Sequence, residues 1–451
     1  MSLQFITGGS GAGKSEYLSR LVCEESVRRP HDNFIVVVPE QYTMETQKKL
    51  VHMHSRKGIL NIDVVSFERL AYKVFEELGG GNRPVLDDTG KNLIVRRVLE
   101  KEKKKLDYFG SSIEKTGFVS ELKSVISELL QYGITPQQLG EIGENVKEKQ
   151  QLSAKLKDIR LVYKEFMAFL STNYITSEEI LDVLCGLVEK SKLIAGSEII
   201  FDGFTGFTPI QYKLMRLLLV YSKGIKISVT IDKKERPTGH EGWNNLFFMS
   251  KEMMNRLIAI CEEEGINVDD TVCVDRDINY RYEGAKDLAY LERNLFRYKG
   301  GVYTGTPENI RIYEGSNPKE ELQYIVSEIL QLTRKEGFRY RDIAVVTADL
   351  ETYGKVAANM MKQNDIPAFL DYKRSVAANP YVEMLCSALE IVEKGYPYDT
   401  MFRYLRTGLT GISRHDIDML ENYCLAVGIR GSRAWHEPWK KKMKRSTYQP
   451  E

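Results

Sequence analysis

Eight consecutive residues near the amino terminus, Gly8-Gly9-Ser10-Gly11-Ala12-Gly13-Lys14-Ser15, satisfy the pattern G-x-x-x-x-G-K-[ST] at every specified position. These residue types suit polyphosphate binding. Glycines let the backbone turn its N–H groups inward around phosphate oxygens. A helix beginning at Lys14 would present its positive dipole end to the same oxygens. In such a loop Lys14 reaches the β- and γ-phosphates and the Ser15 hydroxyl holds magnesium. At average residue usage, a chance match somewhere in the chain has a probability on the order of 0.02. The expectation is therefore an ATP–Mg²⁺ site formed by residues 8–15.

A phosphate loop of this kind works with an acidic residue at the end of a later apolar strand. The candidate is Ile199-Ile200-Phe201-Asp202-Gly203, in which Asp202 joins Ser15 as a magnesium ligand. In active helicase-type ATPases the next position is a glutamate that polarises the attacking water, a task for which Gly203 has no group. After the following strand, Thr230-Ile231-Asp232-Lys233-Lys234 keeps an aspartate but lacks the glutamine that would sense the γ-phosphate. Parts for binding are present and parts for hydrolysis are missing, so no catalytic residue is assigned.

The elements that must position these residues follow from hydrophobic periodicity. Short apolar runs at 3–7, 34–38 and 59–65 alternate with helical patterns, which predicts a parallel sheet with crossover helices. Residues 87–192 read as helices only, for example 120–132 and 152–169, and form a helical insertion. Strands resume at 198–202 and 225–231, so the first sheet is completed after the insertion. Residues 232–305 are polar and poorly patterned, with a helix near 251–264. A second alternating unit follows, with strands expected at 309–313, 343–347 and 368–370 and a helix at 318–336. Beyond Tyr381 the pattern is helical again and no sheet is finished, so the sequence is expected to be the front part of a longer polypeptide.

Composition narrows the function classes. With 451 residues, two to four domains are expected. Lys plus Arg (64) nearly balances Asp plus Glu (63), so any contact with DNA requires a local groove. The basic runs 103–105 and 440–442 are read as solvated surface. Six cysteines, Cys23, Cys185, Cys261, Cys273, Cys386 and Cys424, lack C-x-x-C spacing, which argues against zinc or a disulfide framework. No apolar run approaches the ~20 residues of a membrane span and no signal-peptide pattern opens the chain, so a cytoplasmic protein is expected.

The order of motifs resembles the B subunit of the AddAB helicase-nuclease. The resemblance rests on the phosphate loop, Val38-Pro39-Glu40-Gln41-Tyr42-Thr43, Val65-Ser66-Phe67-Glu68-Arg69-Leu70-Ala71-Tyr72 and Asp202-Gly203-Phe204-Thr205-Gly206-Phe207-Thr208-Pro209. It extends to Asp342-Ile343-Ala344-Val345 and Leu420-Glu421-Asn422-Tyr423-Cys424. It implies an α/β P-loop NTPase of the superfamily 1 helicase type, with parallel sheets and helical insertions. Domain 1A would comprise 1–86 and 193–305, domain 1B 87–192, the start of 2A 306–375 and the helical start of 2B 376–451. It further implies a heterodimer with an A subunit that resects double-strand breaks for recombinational repair. Within it the B subunit is a helicase relic that scans single-stranded DNA for the Chi sequence. The family's nuclease domain and iron-sulfur cluster ligands would lie beyond Glu451, so none of the six cysteines is a candidate ligand.

Aromatic residues beside strand ends offer stacking faces for bases, at ~1–3 kcal/mol each. Phe67, Tyr72 and Phe204 are candidates, whereas Phe207 is assigned to the core. Phe67 and Tyr72 equally fit the apolar face of a helix with Leu70 and Val74. Gln41, Thr43 and Arg69 are candidates for phosphates or base edges, and the resemblance favours these three and Phe204. Two rival readings are an autonomous superfamily 1 DNA helicase, opposed by Gly203, and a small-molecule P-loop kinase, opposed by the large helical insertion.

Overall fold

The computed structural model describes residues 1–79, 84–115, 117–146, 149–176, 178–235, 242–297, 301–371 and 376–440. Most of the basic run 440–445 lies outside them. The chain divides into two compact units, Met1–Arg311 and Ile312–Glu451.

The first unit is built on a parallel sheet. Its strands are β1 (Ser2–Gly8), β2 (Asn33–Val37) and β3 (Ile62–Val65). A two-residue pair, β4 (Val85–Leu86) and β5 (Ile175–Thr176), stands apart from it. The main sheet continues with β6 (Ser197–Phe201), β7 (Gly224–Thr230), β8 (Asn267–Val268) and β9 (Val272–Cys273). Among the described residues the order is β3-β2-β6-β7-β1-β8, with β9 also on β1. Every pairing is parallel.

Such a sheet is covered on both faces, which explains the near-continuous apolar strands. On one face Phe5, Ile35, Ile199 and Ile227 pack against the helices Phe67–Leu78, Pro209–Tyr221 and Phe248–Glu264. On the other, Ile6, Phe34, Val36 and Ile200 meet Leu18, Val22 and Leu50. Because all strands run the same way, Gly8 aligns with Thr230, while Val37 aligns with both Val65 and Phe201. The loops that follow these strands therefore share one edge of the sheet, the carboxyl edge at which open α/β sheets bind ligands.

The insertion is a helical lobe with its own core, in which Val95, Leu99, Ile126, Val162 and Phe166 interlock. Buried Asp158 fixes the turn after its first helix by accepting N–H bonds from Asp107, Tyr108 and Phe109 at 2.8–3.1 Å. Lys91, also buried, holds both carboxylate oxygens of Glu178 at 2.8 Å. The stretch 87–192 is not purely helical as expected, because β5 lies within it. Two residues are too few for a pattern, and only their pairing with β4 defines them as a strand. The region 232–305, expected to be loops around one helix, also contains β8, β9 and the helix Lys286–Asn294.

The second unit is helical among its described residues. The helices Pro318–Lys335 and Leu350–Gln363 pack through Leu322, Val326, Ile329, Met360 and Met361. Phe402, Leu405, Ile417 and Cys424 form a further core. Segments 309–313, 343–347 and 368–370, expected as strands, lie outside any ladder. The last two line a cavity of about 810 Å³ against the two packed helices. Ile312, Val346 and Phe369 are 96%, 92% and 90% exposed. Alternating apolar residues report side-chain burial, but a strand also needs a hydrogen-bonded neighbour, and none is present among the described residues.

Of the cysteines, Cys23, Cys185, Cys261 and Cys424 are buried and none is in a disulfide. Burial pushes the Cys185 and Cys261 thiols up to about 11, so they stay protonated at neutral pH. No described helix is long and apolar enough to cross a membrane.

Candidate functional site

The phosphate loop leaves β1 at Gly8 and closes on Gly13, which caps the helix Lys14–Arg28 in a left-handed conformation. Gly11 and Gly13 have φ of +71° and +94°, where a Cβ would be strained. Space imposes a second demand, since a Cβ on Gly11 would sit 2.5 Å from Cβ of Arg281. The first turn is set by Ala12 N–H bonding Gly9 O, and the helix opens with Tyr17 N–H on Gly13 O.

Lys14 points back into the loop, its Nζ donating to the carbonyls of Gly8 and Gly9 at 2.8 and 2.9 Å. Burial pulls its amine below the usual lysine range, while the charges of Asp202, Asp275 and Glu292 oppose that shift and Arg281 adds to it. One ammonium thus sits among three carboxylates and a guanidinium. Asp202 follows β6 and accepts a 2.5 Å bond from the Ser228 hydroxyl on β7, the strand between β6 and β1. Ser15 and Asp202 supply a hydroxyl and a carboxylate, hard oxygen donors of the kind magnesium takes together with phosphate oxygens and water. The residues fit an ATP–Mg²⁺ pair.

Gly203 has a φ of +84° and its N–H bonds Ser228 Oγ at 3.3 Å. The backbone at the position where a water-polarising glutamate would stand is therefore left-handed, a conformation that penalises any side chain.

Sequence reasoning missed a further group. Residues 275–292 come back over the phosphate loop: Asp275 Oδ1 accepts Gly9 N–H at 3.1 Å, and Asn279 donates to Ser10 O at 3.2 Å. Arg281 N–H bonds Gly11 O, and its guanidinium reaches Ser10 Oγ at 3.5 Å. The Tyr280 ring lies 3.3 Å from where a Cβ on Gly13 would be. The signal available was the run Asn279-Tyr280-Arg281 a few residues after the short apolar stretch Val272-Cys273-Val274, but without periodicity it read as a loop.

The candidate DNA residues follow β2, β3 and β6: Gln41 in a turn, Thr43 at the start of the helix Thr43–Met53, Phe67, Arg69 and Tyr72 in the helix Phe67–Leu78, and Phe204 in the loop after β6. Backbone bonds Val38 N–H to Val65 O and Asp202 N–H to Val37 O tie these strand ends together. Gln41 is exposed on a short turn, Glu40–Tyr42, while Thr43 is buried and bonds Glu40 O at 3.0 Å. Ser66 caps the helix Phe67–Leu78 by accepting Arg69 N–H. Arg69 is exposed and its Nε meets Glu40 Oε1 at 3.2 Å, joining the β2 and β3 loops. Phe67 is buried, with ring centroids of Phe204, Phe201 and Phe207 at 5.4, 5.7 and 6.1 Å. Phe204 and Phe207 are both half-buried with ring centroids 5.4 Å apart, and Phe207 also meets Tyr212. Tyr72 is exposed one helical turn away, edge-on to Phe75. The rim is not basic: Glu40 and Glu68 flank Arg69, and burial, helped by the charges of Glu40 and Glu178, raises the Glu68 carboxyl.

Comparison with known proteins bears directly on this arrangement. The family model described as "ADDB, N-terminal" matches residues 5–292, which span the parallel sheet except the first three residues of β1, the helical lobe and the segment over the phosphate loop. A curated relative from Lachnoclostridium phytofermentans is 42% identical over 447 residues, covering 98% of this chain and 39% of that protein. Relatives from Clostridium novyi and Caldanaerobacter subterraneus subsp. tengcongensis are 34% and 37% identical over 97% of this chain, and 38% and 37% of their own lengths. All three are named as the B subunit of an ATP-dependent helicase/deoxyribonuclease. The chain thus spans about two fifths of the length of the curated relatives it matches. With 288 residues under that family model, from 5 to 292, the chain belongs to the ADDB N-terminal family.

Proposed function

We propose that this chain is the nucleotide-binding, hydrolysis-deficient helicase-like part of a heterodimeric ATP-dependent helicase/deoxyribonuclease that processes DNA ends. The observation that carries the reading is the pairing of a glycine-shaped loop and Lys14 with Asp202, next to a left-handed Gly203. In this reading ATP takes its phosphates to the N–H groups of residues 8–15, and Ser15 and Asp202 hold magnesium. No group at 203 orients a water, so the nucleotide is held rather than turned over.

The whole assembly resects double-strand breaks, and this chain scans the resulting single strand for Chi over the loops bearing Gln41, Thr43, Phe67, Arg69, Tyr72 and Phe204. Convergence of those loops on one sheet edge supports that path. The aromatic cluster supplies stacking rings and Arg69 a cation. An A subunit supplies the motor, in line with the relatives' designation as the B component of a larger enzyme. In this reading the fold is that of a superfamily 1 helicase, with 1–86 and 193–305 as domain 1A and 87–192 as domain 1B.

Purification of the completed polypeptide with an A-type helicase partner tests the assembly. The expected result is a stable complex that binds single-stranded oligonucleotide. Failure of the two to associate refutes the heterodimer.

A further inference from the structure

One backbone N–H group of the phosphate loop is already bonded here to the chain's own carboxylate. Asp275 Oδ1 takes Gly9 N–H at 3.1 Å, and the Glu292 carboxylate lies against the same residue. Three polar atoms, Asp275 Oδ1, Glu292 Oε1 and Asn279 Nδ2, converge to 3.3 Å from the point where a Cβ on Gly9 would lie. The loop is therefore packed by acceptors of the same charge sign and oxygen chemistry as a phosphate. The two acids are not surface residues drawn in by chance. Asp275 is fixed from its other side, where Oδ2 accepts Lys233 N–H at 3.0 Å. The helix carrying Glu292 is tied at its end by Arg297, which meets Asp232 at 3.2 Å. Burial, with the charges of Asp275 and Asp232, raises the Glu292 carboxyl, so holding it ionised against the loop is unfavourable.

We propose that Asp275 and Glu292 act as built-in competitors for nucleotide phosphates, Asp275 occupying the Gly9 N–H group and Glu292 lying against the loop until ATP displaces them. This rests on residues 8–15 being the nucleotide site. A bound triphosphate with magnesium brings more negative oxygen and its own cation, so it wins at sufficient concentration, but at an affinity below that of an unopposed loop. Nucleotide occupancy then coincides with release of the two carboxylates from the loop, while Asn279, Tyr280 and Arg281 remain beside it.

The test is an equilibrium titration of the purified chain with a fluorescent methylanthraniloyl-ATP, with magnesium and again with EDTA. Parent, Lys14→Ala, Asp275→Asn, Glu292→Gln and the double amide variant are compared. Each amide keeps an oxygen acceptor and nearly the same shape, and circular dichroism verifies folding. The expected result is tighter binding by the double variant, roughly tenfold, with each single variant between it and the parent. Affinity equal to the parent in a folded double variant overturns the inference and leaves the nucleotide site intact. Weaker binding only with magnesium overturns it by making the acids metal ligands, and weaker binding in both conditions overturns it by making them supports of the loop. A parent that binds no better than Lys14→Ala overturns the nucleotide site itself, and the inference with it.

Discussion

Phe204 is the residue at which a packing role and a DNA role can be separated by experiment. Its half-buried ring contacts Phe67 and Phe207 at 5.4 Å and Phe201 at 6.1 Å, so part of it belongs to the cluster and part is open to solvent. Complete truncation of a buried Phe costs about 3–5 kcal/mol, so Phe204→Ala, which removes a half-buried ring, should cost about 2 kcal/mol. Phe204→Leu keeps most of the apolar volume and should cost less than about 1.5 kcal/mol. A base stacked on the outer face is worth about 1–3 kcal/mol, equivalent to about 5- to 150-fold in Kd. Both variants should therefore lose affinity for single-stranded DNA by a similar factor although their stabilities differ. Fluorescence anisotropy with an end-labelled oligonucleotide gives the first quantity and urea denaturation the second. If Phe204→Leu binds as the parent does, or if affinity loss follows stability loss across the two variants, the ring is core packing and the stacking argument is refuted.

The Glu40–Arg69 pair provides a second handle. An exposed pair is worth about 0–1 kcal/mol, so Glu40→Gln should release Arg69 and raise single-stranded DNA affinity by up to about fivefold, whereas Arg69→Ala should lower it. Weaker binding by Glu40→Gln would contradict this, and an Arg69→Ala loss equal on every sequence would mark a phosphate contact rather than a base contact. At Gly203, alanine should cost about 1–2 kcal/mol from the left-handed backbone alone, because its Cβ would meet Pro39 at an ordinary 3.5 Å. Denaturation midpoints check this, and an unchanged midpoint would mean that the backbone relaxes.

The alternation that predicts β1, β2, β3, β6 and β7 is legible because each carries a short cluster of mostly buried apolar residues, a signal local to the chain. The phosphate loop is legible for a related reason: its geometry dictates residue type position by position. By contrast β8 and β9 are two residues each and exist only through their pairing with β1. Segment 343–347 shows the converse, an apolar pattern without a partner strand among the described residues. Ser228 and Asp275 were invisible for a third reason. A hydroxyl in a strand and an acid in a polar loop become meaningful only when the sheet places them beside Asp202 and Gly9. Phe67 could not be assigned from its helical spacing, which buried and stacking roles share, and the structure shows that it is buried.

The central claim is that this site holds ATP without turning it over. ATP binding and phosphate release, measured on one purified sample with and without single-stranded DNA, address it directly. The account predicts saturable, magnesium-dependent binding that Lys14→Ala abolishes, with phosphate release at the Lys14→Ala background under both conditions. DNA-stimulated release by the isolated chain at about 1–10 per second, the ordinary range for enzymes, would contradict it and make the chain a motor in its own right.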